Sequence, residues 1–144
     1  MNRKLFLKVV GGSCLTFTGA SMLAGCSTAH SVSATVQDDK LIVSKNEFIE
    51  IKKDEERIRD VVLVRTPSLA FPIAVYGAAQ QAYRALWMKC THKGCELNAR
   101  PDYLACPCHG SEFDAQGQVI NGPAESNLKT LAITTDHENI YIYL

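Results

Sequence analysis

Between Cys90 and Ser111 the chain gathers four of its six cysteines and two of its four histidines. Cys90-Thr91-His92 is followed, after thirteen residues, by Cys106-Pro107-Cys108-His109. The pattern offers two thiols and two imidazoles on two loops, and paired loops bring ligands to a metal from two sides. Two chemistries use two Cys and two His: a tetrahedral structural zinc, or a [2Fe–2S] cluster with thiolates on one iron and imidazoles on the other. Zinc sites of this composition usually draw Cys-x(2–4)-Cys and His-x(3–5)-His pairs, so that each loop supplies ligands of one kind. Here each loop supplies one Cys and one His, which fits a binuclear cluster straddled by two loops.

Cys90-Thr91-His92-Lys93-Gly94-Cys95 and Cys106-Pro107-Cys108-His109-Gly110-Ser111 resemble, almost without gaps, the two cluster loops of the Rieske iron–sulfur proteins. The resemblance implies that Cys90 and Cys106 ligate the inner iron and that His92 and His109 ligate the outer, more exposed one. It implies further that Cys95 and Cys108 form the disulfide tying the loops together, a bridge that an oxidising compartment would sustain. Ser111 matches the serine that in high-potential members bonds a bridging sulfide. Phe113 stands where such members carry a tyrosine whose hydroxyl reaches a ligand sulfur. Lys93 replaces a bulky apolar residue that often shields the cluster; it either steers an acidic partner or is an ordinary solvated loop lysine. Gly122-Pro123-Ala124 resembles the start of the proline loop that covers the cluster, with Glu125 in place of a second proline.

Charge counting gives the reason for imidazole ligands. Two ferric ions and two sulfides sum to +2, so two thiolates leave the oxidised cluster neutral and the reduced one at −1. Four thiolates would require a step from −2 to −3. Adding an electron to a neutral centre costs less, and Rieske potentials accordingly span about −150 to +300 mV against about −400 mV for plant-type ferredoxins. An iron-bound imidazole also keeps a second ring nitrogen whose proton can leave on oxidation, which couples reduction to proton uptake. With one hydroxyl donor missing at Phe113, the expected midpoint is about 0 to +200 mV.

The elements that must position these residues read as β. Short β-rich runs recur at Leu41–Val43, Glu47–Ile51, Asp60–Arg65, Phe71–Tyr76, Tyr83–Lys89, Asn127–Thr134 and Ile140–Leu144. Turn residues or charges separate most of them, and the run from Lys52 to Glu56 reads as a solvated turn or edge. No long segment of 3.6 period is present. The expected fold is all-β, a small antiparallel sandwich or barrel over residues 41–144. A two-loop cluster-binding subdomain over about 90–123, poor in strand pattern, is inserted into it.

Ahead of that body, residues 1–25 have a basic start and an uncharged apolar run, the layout of an export signal rather than a strongly hydrophobic membrane span. Leu23-Ala24-Gly25-Cys26 resembles a bacterial lipobox, which implies an acylated Cys26. Asn2-Arg3-Lys4-Leu5-Phe6-Leu7-Lys8 is similar to the twin-arginine export motif, with Lys4 at the second arginine. Residues 26–40 read as a lipid-anchored flexible tether, because Ser31–Lys40 is small and polar. Cys14 then leaves with the signal, while His30 and His137 read as solvated.

Arg3, Lys4 and Lys8 supply three of the 15 basic residues, so the remainder carries about −3 against 15 acidic residues, and nothing suggests nucleic acid. The expected role is one-electron transfer on the outer face of a bacterial membrane, in a respiratory chain. The chain would be either a subunit of a quinol-oxidising bc-like complex or an independent carrier with cytochrome b- or c-like partners. The alternatives are the Rieske subunit of an exported molybdenum oxidoreductase of the arsenite oxidase kind, docked on a molybdopterin subunit, and a ferredoxin of a ring-hydroxylating oxygenase. Nothing supplies a catalytic base, so a stand-alone enzyme is disfavoured.

Overall fold

The computed structural model describes residues 29–77 and 82–144; the export segment over 1–25 and Cys26 lie outside them. Strands β1 (His30–Ser33), β2 (Thr35–Gln37) and β3 (Lys40–Ser44) come first. A 3-10 turn over Lys45–Phe48 leads into the hairpin of β4 (Ile49–Lys52) and β5 (Glu55–Ile58). Strands β6 (Val61–Arg65), β7 (Ile73–Tyr76) and β8 (Arg84–Trp87) form an antiparallel meander. Four short strands follow: β9 (Asn98–Ala99), β10 (Tyr103–Ala105), β11 (Glu112–Asp114) and β12 (Val119–Asn121). The last are β13 (Thr130–Leu131), β14 (Ile133–Thr135) and β15 (Asn139–Tyr143). The described residues hold no α-helix.

These strands make three layers. A central sheet in the order β1-β6-β7-β8-β13 lies between an outer sheet, β14-β15-β3-β2, and the cluster subdomain's own sheet, β12-β11-β10-β9. Because side chains alternate along a strand, the central sheet feeds two cores at once. Val62, Val64, Ile73 and Val75 face Leu41, Val43, Ile140 and Ile142 of the outer sheet. Val61, Leu63, Ala74 and Leu86 face Leu97, Leu104 and Phe113 of the cluster subdomain. Strands buried on both faces read as continuous apolar runs, and Val61-Val62-Leu63-Val64 is such a run. Burying each of these side chains is worth about 1.5–3 kcal/mol, so β6 contributes to both interfaces in comparable measure.

The subdomain is also tied to the central sheet by a polar contact. The buried Tyr76 hydroxyl lies 2.9 Å from the carbonyl oxygens of both Arg100 and Tyr103, and its proton is shared between them. Burial, and then the nearby Asp102 carboxylate, raises its pKa well above the ordinary phenol value, so it remains a donor.

Three expectations are corrected, and the antiparallel all-β expectation holds with one added detail. The tether over residues 31–40 is instead β1 and β2, and Val32 and Ala34 pack on the outer core. The folded body therefore starts ahead of Leu41. His30 is half-buried, with Nε2 2.9 Å from Glu47 Oε2, rather than solvated. The sheets are antiparallel except at one pairing, β1 beside β6, which is parallel. The stretch 90–123 carries its own four-stranded sheet.

Smaller differences concern boundaries. The run from Glu47 begins as the 3-10 turn, whose start Ser44 caps by accepting the Asn46 N–H at 3.3 Å. Lys53 and Asp54, both at positive φ (52° and 62°), form the tight turn read from the charges, and β5 emerges directly from it. The expected strand over Asn127–Thr134 divides into β13 and the start of β14.

Candidate metal centre

Each cluster loop is the tip of a hairpin. The first springs from Lys89 and Glu96, which bridge antiparallel, with the Leu97 N–H donating to the Met88 carbonyl at 3.0 Å. The second joins β10 to β11, where Ala105 faces Glu112. Inside, the two loops repeat one pattern. Cys90 N–H donates to the Cys95 carbonyl at 2.8 Å and Gly94 N–H to the Cys90 carbonyl at 2.9 Å. Correspondingly, Cys106 N–H donates to the Ser111 carbonyl at 2.8 Å and Gly110 N–H to the Cys106 carbonyl at 3.1 Å. Gly94 and Gly110 hold φ of 76° and 80°, a conformation that only glycine adopts without steric cost. The loops are thus pseudo-symmetric copies.

That closure aims amides at sulfur. The amides of His92 and Lys93 lower the pKa of the Cys90 thiol, and those of Cys108 and His109 act in the same direction on Cys106. Both cysteines are buried and free. Burial pushes the Cys90 thiol up, but the His92 amide, the Cys106 thiol, the Lys93 amide and the Ser111 hydroxyl together bring it below its ordinary value. Burial and the neighbouring Cys90 hold Cys106 above its own. The pair is surrounded by donors to sulfur, the condition for ligating a metal.

The imidazoles meet at the outer end, with ring centroids 5.0 Å apart and planes at 87°. His109 is exposed and His92 half-buried. His92 Nδ1 is buried without a hydrogen-bond partner among the described residues. A buried ring nitrogen left unpaired is costly unless it binds something, so it fits an iron ligand. Cys95 and Cys108 form a disulfide with Cα atoms 6.6 Å apart, joining the loops. The Cys95, Cys106 and Cys108 sulfurs lie within 4.8 Å of one another, but two of them are engaged in that bond and only Cys106 could ligate. Cys90, Cys106, His92 and His109 are the residues that could hold a [2Fe–2S] cluster.

The surrounding residues take distinct places. Ser111 is fully buried, the one buried polar residue among those described. Phe113 is also fully buried, in the core beneath the loops, and Lys93 is exposed. Gly122 and Pro123 begin a strap over the site, joined by a cis peptide bond. The strap is fastened at three points: Ala124 N–H donates to Ser111 Oγ at 3.0 Å, Thr91 Oγ1 to the Ser126 carbonyl at 2.6 Å, and Asn121 Nδ2 to the Gly110 carbonyl at 3.3 Å. Thr91, Asn121 and Tyr76 are supports that the cysteine and histidine pattern does not reveal.

The family model of the Rieske [2Fe-2S] domain matches residues 41–132. The chain belongs to the Rieske [2Fe–2S] domain family. Its domain carries a [2Fe–2S] cluster. Over 53 residues it is 45% identical to the cytochrome b6-f complex iron-sulfur subunit of Synechococcus sp. (strain JA-3-3Ab), a stretch covering 35% of this chain and 31% of that one. Its match to the cytochrome b6-f complex iron-sulfur subunit 1 of Nostoc sp. (strain PCC 7120) is 42% over 55 residues, covering 37% and 31%. The Rieske chain thus spans about a third of the length of these relatives. The crystal structure of the plasma membrane Rieske protein PetC3 from Synechocystis PCC 6803 superposes with a TM-score of 0.52 at 33% identity, over 59% of this chain and 87% of that one. The quaternary ammonium Rieske monooxygenase CntA superposes with a TM-score of 0.52 at 17% identity, over 81% of this chain and 33% of that one, a likeness of fold alone.

Proposed function

We propose that this Rieske chain carries single electrons on the outer face of a bacterial membrane, held there by a lipid on Cys26. Cys90 and Cys106 ligate the inner iron, and His92 and His109 the outer one. The observation that carries the reading is the pairing of a buried, amide-surrounded thiol pair with two imidazoles meeting at the outer end of the site. An electron entering or leaving through that end has only the imidazoles to cross, while the two thiols lie buried on the inner side beneath a strap fastened to Ser111. The Cys95–Cys108 bridge supports an oxidising compartment, and the lipobox-like Leu23-Ala24-Gly25-Cys26 supports acylation there. The likeness to cytochrome b6-f subunits and to a plasma membrane Rieske protein supports redox partners of the cytochrome b or c kind in a respiratory chain.

The test is electron paramagnetic resonance of the full chain purified from a membrane fraction. The reduced protein should give a rhombic signal, and its titration should place the midpoint at about 0 to +200 mV. A colourless protein without that signal would refute the cluster assignment. Retention of Cys26→Ser in the membrane fraction would refute the anchor.

A further inference from the structure

We infer that the body rests on the lipid surface through the β4–β5 hairpin, with the cluster loops turned away from the bilayer toward water. The inference rests on the acylation of Cys26 proposed above.

The strand register fixes the direction. His30 pairs with Val62 and Ser33 with Arg65, so the chain enters at the β6 end that carries Val61, Tyr76 and Arg84. The opposite end of the same sheet carries Arg65, Ile73 and Trp87, and there Arg65 reaches Glu96 of the first loop hairpin at 2.6 Å. Cys90 is six residues beyond Arg84, so at about 3.3 Å per residue the site lies roughly 20 Å along the sheet from the entry. Only three peptide steps separate Cys26 from Ala29, at most about 11 Å. An acyl chain on Cys26 therefore holds the entry end, and not the cluster end, against the membrane.

The hairpin lies at that entry end. Ala29, His30, Glu50, Arg57, Ile58 and Arg100 line one groove of about 360 Å³. The Arg59 guanidinium donates to the carbonyls of Glu47 and Ile49 at 3.0 and 2.7 Å, fixing the hairpin to the body. Ile49 and Ile51 share a face, with Ile58 opposite Ile49 and Glu56 opposite Ile51, so the three isoleucines project together beside one carboxylate. They are among the most exposed large apolar residues described, Ile51 at 77%. The four acids and four bases from Glu50 to Arg59 balance, so the hairpin favours neither an anionic nor a cationic partner, and the occupant that fits is the interface of a zwitterionic bilayer, with the isoleucines at the acyl boundary and the charges among the headgroups.

The consequence for partners is direct. Of the partners proposed above, a site some 20 Å above the surface and facing away from it suits the cytochrome c-like one, which reaches it from the aqueous phase.

The test uses the full acylated chain, its Cys26 modification checked by mass, in phosphatidylcholine vesicles with and without bromine on the acyl chains. In a Trp87→Phe background, Ile51→Trp and Ile58→Trp report on the hairpin and Ile120→Trp on the cluster end, where Ile120 is 57% exposed. A retained rhombic signal certifies each variant as folded. Brominated lipid should cut the emission at positions 51 and 58 severalfold and leave position 120 unchanged. Quenching at 120, or none at 51 and 58, on an acylated chain overturns this inference and leaves the anchor standing. An unmodified Cys26 overturns both.

Discussion

The Ala124 amide donates to Ser111 Oγ at 3.0 Å, which leaves the Ser111 hydroxyl proton for the Cys90 sulfur. One side chain thus fastens the strap and supplies a donor to a ligand. Ser111→Ala removes both roles. It should lower the midpoint potential in a redox titration, because donors to sulfur favour the reduced, more negative cluster. It should also lower stability by about 1–3 kcal/mol, because the buried Ala124 amide loses its acceptor. A thermal loss with no change in potential would mean that the hydroxyl does not reach the sulfur.

Phe113 is fully buried beneath the loops and offers no donor. Phe113→Tyr should raise the midpoint by about 60 mV if the new hydroxyl favours the reduced state by about 1.4 kcal/mol. If the hydroxyl finds no partner, the potential should stay fixed while the melting temperature falls.

Cys95 and Cys108 join loops that otherwise belong to separate hairpins, with a sequence separation of 13. Replacing both with Ala should cost about 3 kcal/mol, the loop-closure value for a ring of this length. The iron ligands would remain, so visible absorbance should report a cluster that is still bound after expression yet lost faster on warming.

Asp136 has its pKa pulled down to about 2, first by the Tyr141 hydroxyl at 2.5 Å and then by the Asn139 and Glu138 amides. A depressed carboxylate stabilises the fold above its unfolded pKa of about 3.9, and that contribution is lost as pH falls through the folded value. Carboxyl resonances should therefore show Asp136 titrating near 2. Asp136→Ala should free the Glu138 and Asn139 amides to exchange faster.

Ligand chemistry is the most legible part of such a chain, since only Cys and His at particular spacings can serve and their identities cannot be blurred by context. The central strands are equally plain, because burial on both faces demands the unbroken apolar run of β6. Elsewhere the signal is weak for physical reasons. Ser31-Val32-Ser33-Ala34 alternates with a period of two, but its side chains are small and half its positions polar, so composition suggests a tether where a strand forms. Glu55-Glu56-Arg57 of β5 is exposed throughout, and its pairing with β4 arises from the turn at Lys53 and Asp54 rather than from a buried face. The parallel contact of β1 with β6 joins residues more than thirty positions apart, which no local pattern encodes. Thr91 and Asn121 look like ordinary loop residues until their acceptors are known.

The two matching loops carry a final consequence. Each is closed by hydrogen bonds within six residues, fixed at one glycine, and rooted in its own hairpin. A change of one unit of charge at the site therefore meets a frame with little backbone left to yield, and most of the reorganisation energy resides in the solvent around His92 and His109. How fast electrons cross should then depend on how completely a docking partner removes water from those two rings.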